Sequence, residues 1–153
     1  MRDKKFLFIA VFIACISCGT LGGFESINVP VERSVLKKAM DSLYSTFPEY
    51  QIPDKWKKFD TWRERGYGFL DGTIFYFAKG PEEMYYVTFI GDSTEQAHSK
   101  ITEIAVRAVS RGSAKWILEE DTNKKEKQRV ENRFRVEILS KLEKFALINA
   151  PAE

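Results

Sequence analysis

Few residues of this chain could carry out covalent or metal chemistry. Its two cysteines, Cys15 and Cys18, both lie near the N-terminus, so the rest of the chain has no thiol for a disulfide, a zinc site or a nucleophile. The single histidine, His98, stands in a polar stretch from Thr94 to Lys100. Because no second histidine or nearby cysteine completes a zinc set, we expect His98 on the surface. The thiol chemistry open to the chain is therefore modification of a cysteine near its start.

The sequence patterns that mark catalytic sites are also missing. The chain has no Gly-x-Ser-x-Gly elbow, and the glycines at 66–68 and 91–93 lack the spacing of a phosphate-binding loop. Asp71 and Asp92 fit turns and caps better than acid–base catalysis. A serine triad stays possible, because the chain contains a histidine with several serines and aspartates. The sequence thus gives an enzyme no positive support and indicates no cofactor and no metal site.

The first 18 residues have the parts of an export signal. Arg2, Lys4 and Lys5 form a basic start, an uninterrupted apolar run follows over 6–16, and the cleavage region lies at 17–19. Such a segment directs the chain across a membrane and is not part of the fold. The sequence therefore predicts that the basic end stays inside and that the following domain is exported.

The end of this segment, Ile16-Ser17-Cys18, resembles the cleavage site of bacterial lipoprotein signal peptides. In that family the cysteine is acylated and becomes the new N-terminus. The resemblance implies a signal peptide over 1–17, a diacylglycerol on Cys18, and a protein anchored in the bacterial cell envelope, at the outer membrane or another extracytoplasmic face. Cys15 is the alternative acceptor, but Cys18 gives the longer apolar run and precedes the flexible Gly19. A soluble secreted protein and an uncleaved anchor are the other interpretations.

The charge balance bears on the class of partner. The chain has 24 basic and 22 acidic residues, and removing the charged residues before Phe6 leaves equal numbers. A chain with no excess positive charge has no overall electrostatic reason to bind nucleic acid. The expected partners are therefore the membrane, through the lipid anchor, and an envelope protein.

The length of the exported chain predicts one domain. Residues 18–29 are glycine-rich and are predicted to form a tether with a contour of at most ~40 Å. Residues 30–153 are long enough for a single α+β domain with its own core and too short for two.

An aromatic and basic segment occupies 50–68. Trp56, Phe59 and Trp62 recur every three residues, so a short helix beginning near 53–54 would place their rings on one face. That face could cap a sheet, since each ring buries a large apolar area. It could instead form a recognition surface or a membrane interface, since Trp, Tyr and Arg dominate binding hot spots. For recognition, we expect Trp56 or Trp62 to be more than about a third exposed.

Hydrophobic periodicity predicts the main elements. A helix is predicted over 30–47 and a longer one over 122–145. Residues 73–78 and 84–90 are rich in aromatic and β-branched side chains and should pair as an antiparallel hairpin. The second of these strands is apolar on both faces, which indicates a central position. A turn signal before the first adds 67–70 as a further strand.

Residues 92–112 fit two patterns. An apolar stripe ending at Gly112 fits a helix, whereas the alternation over 104–109 fits a strand. The short apolar run at 116–118 favours the strand, because the two would form a second hairpin.

These elements together predict an α+β fold: an antiparallel sheet of four or five strands with an N-terminal helix and a long C-terminal helix packed on it. We expect a noncatalytic envelope lipoprotein that binds a protein partner or supports an envelope assembly. The alternative is a binder of a small apolar or glycan ligand in an aromatic-lined groove. A flat aromatic patch would favour the partner, and a pocket of several hundred Å³ the ligand. The candidate binding residues are Trp56, Trp62, Tyr67, Tyr76 and Tyr86.

Overall fold

The computed structural model describes residues 23–94 and 96–149. In this part of the chain, an antiparallel five-stranded sheet is combined with four α-helices, which confirms the predicted α+β class. The strands are β1 (Ser26–Val29), β2 (Gly72–Phe77), β3 (Glu83–Phe89), β4 (Thr102–Ser110) and β5 (Ile117–Leu118). The helices are α1 (Arg33–Thr46), α2 (Asp54–Lys57), α3 (Lys124–Phe134) and α4 (Ser140–Asn149).

The strand order is β1-β4-β3-β2, and β5 pairs with β4 on the same side as β1. The predicted hairpin of β2 and β3 is confirmed, with Ile74 opposite Tyr86 and Phe75 opposite Tyr85. All seven residues of β3 are buried, since this strand lies inside the sheet with side chains packed on both faces. The predicted central strand is therefore confirmed, and β2 is left at an edge of the sheet.

Strand β4 contains a β-bulge, which explains why its sequence fitted two patterns. The register against β3 shifts at Arg107, the extra residue of the bulge. A bulge breaks the two-residue alternation of a strand. Ile104 and Val106 before it, and Val109 after it, therefore all face the same core. The strand interpretation of this segment is confirmed, and the pairing of β4 with β5 forms the second hairpin.

The C-terminal helix and α1 cover one face of the sheet. A wider π-helical turn, Arg135–Leu139, joins α3 to α4 without a break in the helical backbone. Val130, Phe134, Ile138 and Leu142 are buried along this helix, as its periodicity predicted. They pack with α1 and one face of the sheet in the larger of two buried apolar clusters, here called the main core.

The fold begins earlier in the chain than predicted. Residues 18–29 were expected to form a tether, but Ser26–Val29 is strand β1 and pairs with β4. Ile27 and Val29 alternate with exposed residues along β1, and Phe24 is buried with them in the main core. This apolar alternation outweighs the flexibility that the neighbouring glycines suggest. Residues 26–29 therefore belong to the sheet and not to the predicted tether.

The expected strand over 67–70 is absent. The chain forms a helical turn, Arg63–Tyr67, in which the Tyr67 amide donates to the Trp62 carbonyl. Gly66 has a φ of 89°, a conformation that favours glycine. The predicted short helix does begin at Asp54, but α2 is only one turn long. Local turns rather than strand pairing therefore hold this segment beside the edge strand β2.

Candidate functional site

The sheet face opposite the helices carries a second apolar cluster, here called the outer aromatic cluster. Its buried members are Trp56, Trp62, Ile74, Tyr76, Met84, Tyr86, Ala108 and Trp116. The Trp116 indole N–H donates to the Phe59 carbonyl oxygen at 2.9 Å, which fastens the segment 52–70 to the sheet. The aromatic segment thus caps the sheet, which is one of the two roles that its sequence predicted.

A cleft of about 680 Å³ lies where this segment meets the edge strand β2. Its apolar lining comprises Tyr44, Ile52, Trp62, Tyr67, Leu70, Ile74 and Tyr86. Its charged lining comprises Lys57, Asp60, Arg63 and Glu64, two of each sign. The volume falls in the range of roughly 300–1,000 Å³ that is typical of small-molecule sites.

Stacked aromatic rings form the base of the cleft. The ring centroids of Trp62 and Tyr86 are 4.3 Å apart with an interplanar angle of 15°. Tyr67 meets Trp62 edge to face at 5.3 Å, and Trp116 does so at 5.1 Å. Trp62 and Tyr86 are buried, whereas Tyr67 is half-buried. Ring contacts of this kind contribute about 0.5–1.5 kcal/mol each beyond their area burial, so they stabilise the base of the cleft.

The Trp62 indole N–H is an unsatisfied hydrogen-bond donor. Among the described residues, the buried Nε1 atom of Trp62 has no hydrogen-bond partner. Buried polar groups are nearly always paired, and leaving one unpaired costs about 1–3 kcal/mol. Trp116, in the same cluster, satisfies its N–H on the Phe59 carbonyl. Trp62, which lines the cleft, therefore differs from Trp116 in having an indole N–H without a hydrogen-bond acceptor.

Asp60 places a carboxylate at the mouth of the cleft. Partial loss of water around this carboxyl raises its pKa, while the Trp62 backbone N–H and the Arg63 guanidinium act in the opposite direction. The balance is upward. Burial also raises the pKa of Tyr86, and the charge of Asp60 adds to that shift. Asp60 is thus a hydrogen-bond acceptor close to the Trp62–Tyr86 pair.

Tyr44 of α1 closes one end of the cleft and is held rigidly. Its hydroxyl donates to the Ile74 carbonyl at 2.8 Å and shares a 2.7 Å hydrogen bond with the Thr73 hydroxyl. Burial raises the pKa of Tyr44 to about 12, so the phenol remains protonated at physiological pH. This wall therefore adds shape to the cleft without adding charge.

The predicted binding residues fall into two groups. Trp62, Tyr67 and Tyr86 line the cleft. Trp56 and Tyr76 pack against each other at 5.4 Å in the same outer aromatic cluster, but they do not line the cleft. The Tyr76 hydroxyl instead bonds the Glu82 carboxylate.

The expectation that one tryptophan would be more than a third exposed is wrong. Trp56 is 6% exposed and Trp62 is 4% exposed. Both rings pack on the sheet face opposite the helices and help to cover its apolar side chains. Exposed aromatic surface comes instead from Phe69, which is 79% exposed next to the cleft-lining Leu70.

Several residues of the cleft were not predicted from the sequence. Tyr44 packs against the main core but was not counted in the apolar stripe of α1, and Asp60 and Glu64 stand among the basic residues of the aromatic segment without a distinguishing pattern. The one available signal was the mixture of rings and charges over 50–68. Which charges converge depends on the turn at Arg63–Tyr67, whose formation local spacing did not indicate.

A second charged cluster surrounds Glu83 in the interior. Its carboxylate is fully buried and contacts Arg111, Arg129 and Arg133, with the Tyr85 hydroxyl donating at 3.1 Å. Both carboxylate oxygens are occupied by these donors. The cluster ties the start of β3 to α3 and offers no open position for a ligand.

The remaining predictions concern metals, histidine and the membrane. No group of three or more potential metal ligands occurs among the described residues. His98 is exposed, as expected. None of the helices in the described ranges is long and apolar enough to cross a bilayer. The predicted signal over 1–17 and the lipidation site Cys18 lie outside the described residues.

Comparison with protein families, curated proteins and solved structures found no match.

Proposed function

We propose that this protein is a noncatalytic lipoprotein of the bacterial cell envelope, anchored through Cys18, whose exported domain binds a small ligand in the cleft beside β2. The anchor rests on the lipoprotein-like segment that ends at Cys18. Once the chain is acylated, two fatty chains would hold the domain stably at a membrane.

One observation carries the ligand-binding proposal: the cleft of about 680 Å³ has an aromatic base and a few polar groups that converge on it. A concave site of this composition is the usual form of a small-molecule site. Both tryptophans of the aromatic segment are buried, so they cannot form the flat exposed patch that a protein partner would favour. These observations therefore favour the binding of a small ligand over the binding of a protein partner.

A fragment screen tests this proposal. A chemically diverse set of small soluble compounds is added to the isotope-labelled full chain in micelles, and backbone amide signals are followed by NMR. We expect the signals of Gly68, Leu70 and Thr73 to move, since these residues line the cleft, while signals of α4 stay in place. Hits that map elsewhere, or no hits at all, would remove the basis for a ligand site.

A protein partner remains the second candidate, and a different surface favours it. Val136, Leu147 and Ile148 are apolar and more than two-thirds exposed on the C-terminal helix. Exposed apolar groups on one element are a common feature of protein interfaces. Replacing Leu147 and Ile148 by serine should abolish cross-linking of the anchored protein to a specific envelope protein, whereas cross-linking unchanged by both substitutions would rule this surface out.

A further inference from the structure

The C-terminal helix has an apolar side that faces away from the core. Val136, Leu147 and Ile148, here called the outer ridge, are 71%, 78% and 76% exposed. Val136 and Ile148 each stand two positions after a buried residue of the helix, Phe134 and Ala146 respectively. Two positions correspond to about 200° around a helix, so the outer ridge lies opposite the packed side.

The outer ridge carries little net charge. The exposed charged side chains of α4 are Glu143 and Lys144, one of each sign. Lys141 is turned back onto the helix, where its ammonium group donates to the Glu137 carbonyl at 2.6 Å. A partner of this surface would therefore be held mainly by the burial of apolar side chains.

The N-terminal end of the described chain is fastened beside the outer ridge. The Glu25 backbone N–H donates to the Glu131 carboxylate at 2.9 Å, and the Arg135 side chain donates to the Glu25 carboxylate at 2.9 Å. Glu131 and Arg135 are one turn apart on the helix, and Arg135 directly precedes Val136. The point from which a tether would leave the fold is therefore next to the outer ridge.

A lipid on Cys18 would hold a bilayer close to this point. Phe24 is already bonded to the sheet, and the six residues from Cys18 to Phe24 have a contour of at most ~20 Å. Ile148 lies about 18 Å along the helix from Val136. A helix that lies flat on the bilayer therefore presents both ends of the outer ridge to the lipid at the same depth.

We infer that the outer ridge is the membrane-contacting surface of the anchored domain, with its three side chains set between the lipid headgroups and the acyl chains. This inference rests on the proposed lipid anchor. Three side chains bury too little area to hold a free protein on a membrane, but the anchor already supplies the attachment. The outer ridge then fixes only the orientation. A protein partner could use the same residues, but the short tether favours the bilayer.

This orientation turns the cleft away from the bilayer. The C-terminal helix covers one face of the sheet, and the outer aromatic cluster lies on the other. The cleft also borders β2, at the opposite edge of the sheet from β1, near which the chain enters the fold. A ligand would therefore reach the cleft from the aqueous side.

Spin labels on the full acylated chain test the inference in vesicles of phosphatidylethanolamine and phosphatidylglycerol. Residues 19–153 contain no cysteine, so Val136→Cys, Ile148→Cys and Phe69→Cys each give one position for labelling. Collisions with oxygen, which concentrates in lipid, are compared with collisions with a nickel chelate, which stays in water. Phe69 is the matched control, because it is 79% exposed beside the outer aromatic cluster.

We expect the ratio of oxygen to nickel collisions to be about threefold higher at positions 136 and 148 than at 69. Equal ratios at the three positions would overturn the inference. Labels on the outer ridge that are shielded from both probes would mean that protein covers it, and they would overturn the inference as well.

Two further variants separate the outer ridge from exposed apolar residues in general. With the label at position 148, Val136→Ser/Leu147→Ser should lower the collision ratio about threefold, since the rest of the apolar surface is lost. Ile101→Ser is the control, because Ile101 is 54% exposed and lies outside the helix. These positions are exposed, so the fold should tolerate the changes. Equal ratios in the two variants would contradict a specific role for the outer ridge.

Flotation of the same vesicles measures the anchor independently of the outer ridge. If the protein floats with the vesicles and the labels on the outer ridge remain in water, the inference fails and the proposed anchor stands. If the protein does not float, both fail.

Discussion

At the scale of single residues, the carboxylates of Glu83 and Asp60 differ in their burial and in their partners. Glu83 is fully buried and closed in by arginines, including contacts of 2.5 Å to Arg129 and 3.1 Å to Arg133. Asp60 is an exposed residue that lines the cleft, and partial loss of water raises its pKa. The first arrangement stabilises the fold, whereas the second leaves a polar group available to a ligand at some cost to the fold.

Replacing Glu83 tests its structural role. Glu83→Gln leaves Arg129 and Arg133 without their buried counter-charge, and breaking a buried pair in this way typically costs about 3–5 kcal/mol. We expect the free energy of unfolding in urea to fall by about 3 kcal/mol. The neighbouring Glu82→Gln removes a solvent-exposed ion pair with Lys55 but keeps an acceptor oxygen for the Tyr76 hydroxyl, so it should cost less than about 1 kcal/mol. Equal effects of the two substitutions would contradict this assignment.

Replacing Asp60 should have the opposite sign. Because its pKa is raised on folding, the folded state holds this proton more tightly than the unfolded state does, and the ionised carboxylate disfavours the fold. Asp60→Asn should therefore melt at or above the temperature of the parent at pH 7. The difference should vanish as the pH falls below the unfolded pKa of about 3.8, where both states are protonated. A variant that is less stable at pH 7 would refute the assignment.

At the scale of elements, the sheet separates a helical layer from an aromatic layer. The C-terminal helix and α1 cover one face, and the aromatic segment covers the other. The helical layer is continuous, whereas the aromatic layer is built of short turns and meets the edge strand β2 at a gap. The cleft therefore forms because the aromatic segment does not cover the whole of its sheet face.

A core substitution tests the helical layer. Phe134 of α3 is buried and lies 6.1 Å from Phe75 of the sheet, centroid to centroid. Phe134→Ala should lower the free energy of unfolding by about 3–5 kcal/mol, since it leaves a cavity. Lys125→Ala, on the exposed side of the same helix, should change it by no more than about 0.5 kcal/mol. Similar melting temperatures for both variants would contradict the packing of this helix.

Elements with strong periodicity were predictable from the sequence, and those fixed by distant contacts were not. The stripe of Phe134, Ile138 and Leu142 and the two-faced pattern of β3 identified the core elements correctly. The bulge at Arg107 made β4 ambiguous, because local alternation carries no information on register with β3. The cleft depends on the turn at Arg63–Tyr67, whose position is set by packing on the sheet.

At the scale of the whole molecule, the early start of the fold limits how far the domain could reach from a membrane. The Phe24 amide donates to the Val106 carbonyl at 2.9 Å, so the chain is already bound to the sheet there. An acylated Cys18 would be six residues away, a contour of at most ~20 Å. The domain of a chain anchored in this way would therefore lie directly against the lipid surface.

The lipid anchor has its own test. Cys18→Ser should release the domain into the soluble fraction or block its processing, because two fatty chains are lost and stable attachment needs both. Membrane fractionation of cells that produce each variant measures this. Cys15→Ser is the control and should remain with the membranes. If only Cys15→Ser is released, the acceptor is Cys15, and if neither is released, the lipoprotein interpretation fails.

Native mass spectrometry of the protein released from its own membranes tests the central claim, a ligand held in the cleft beside β2. We expect ions of the parent to carry a noncovalent small-molecule adduct that is lost in Asp60→Asn/Tyr67→Ala and kept in Trp56→Phe, since only the first variant alters the cleft lining. Parent ions with the mass of the polypeptide and its lipid alone, or an adduct that survives the double substitution, would contradict the claim.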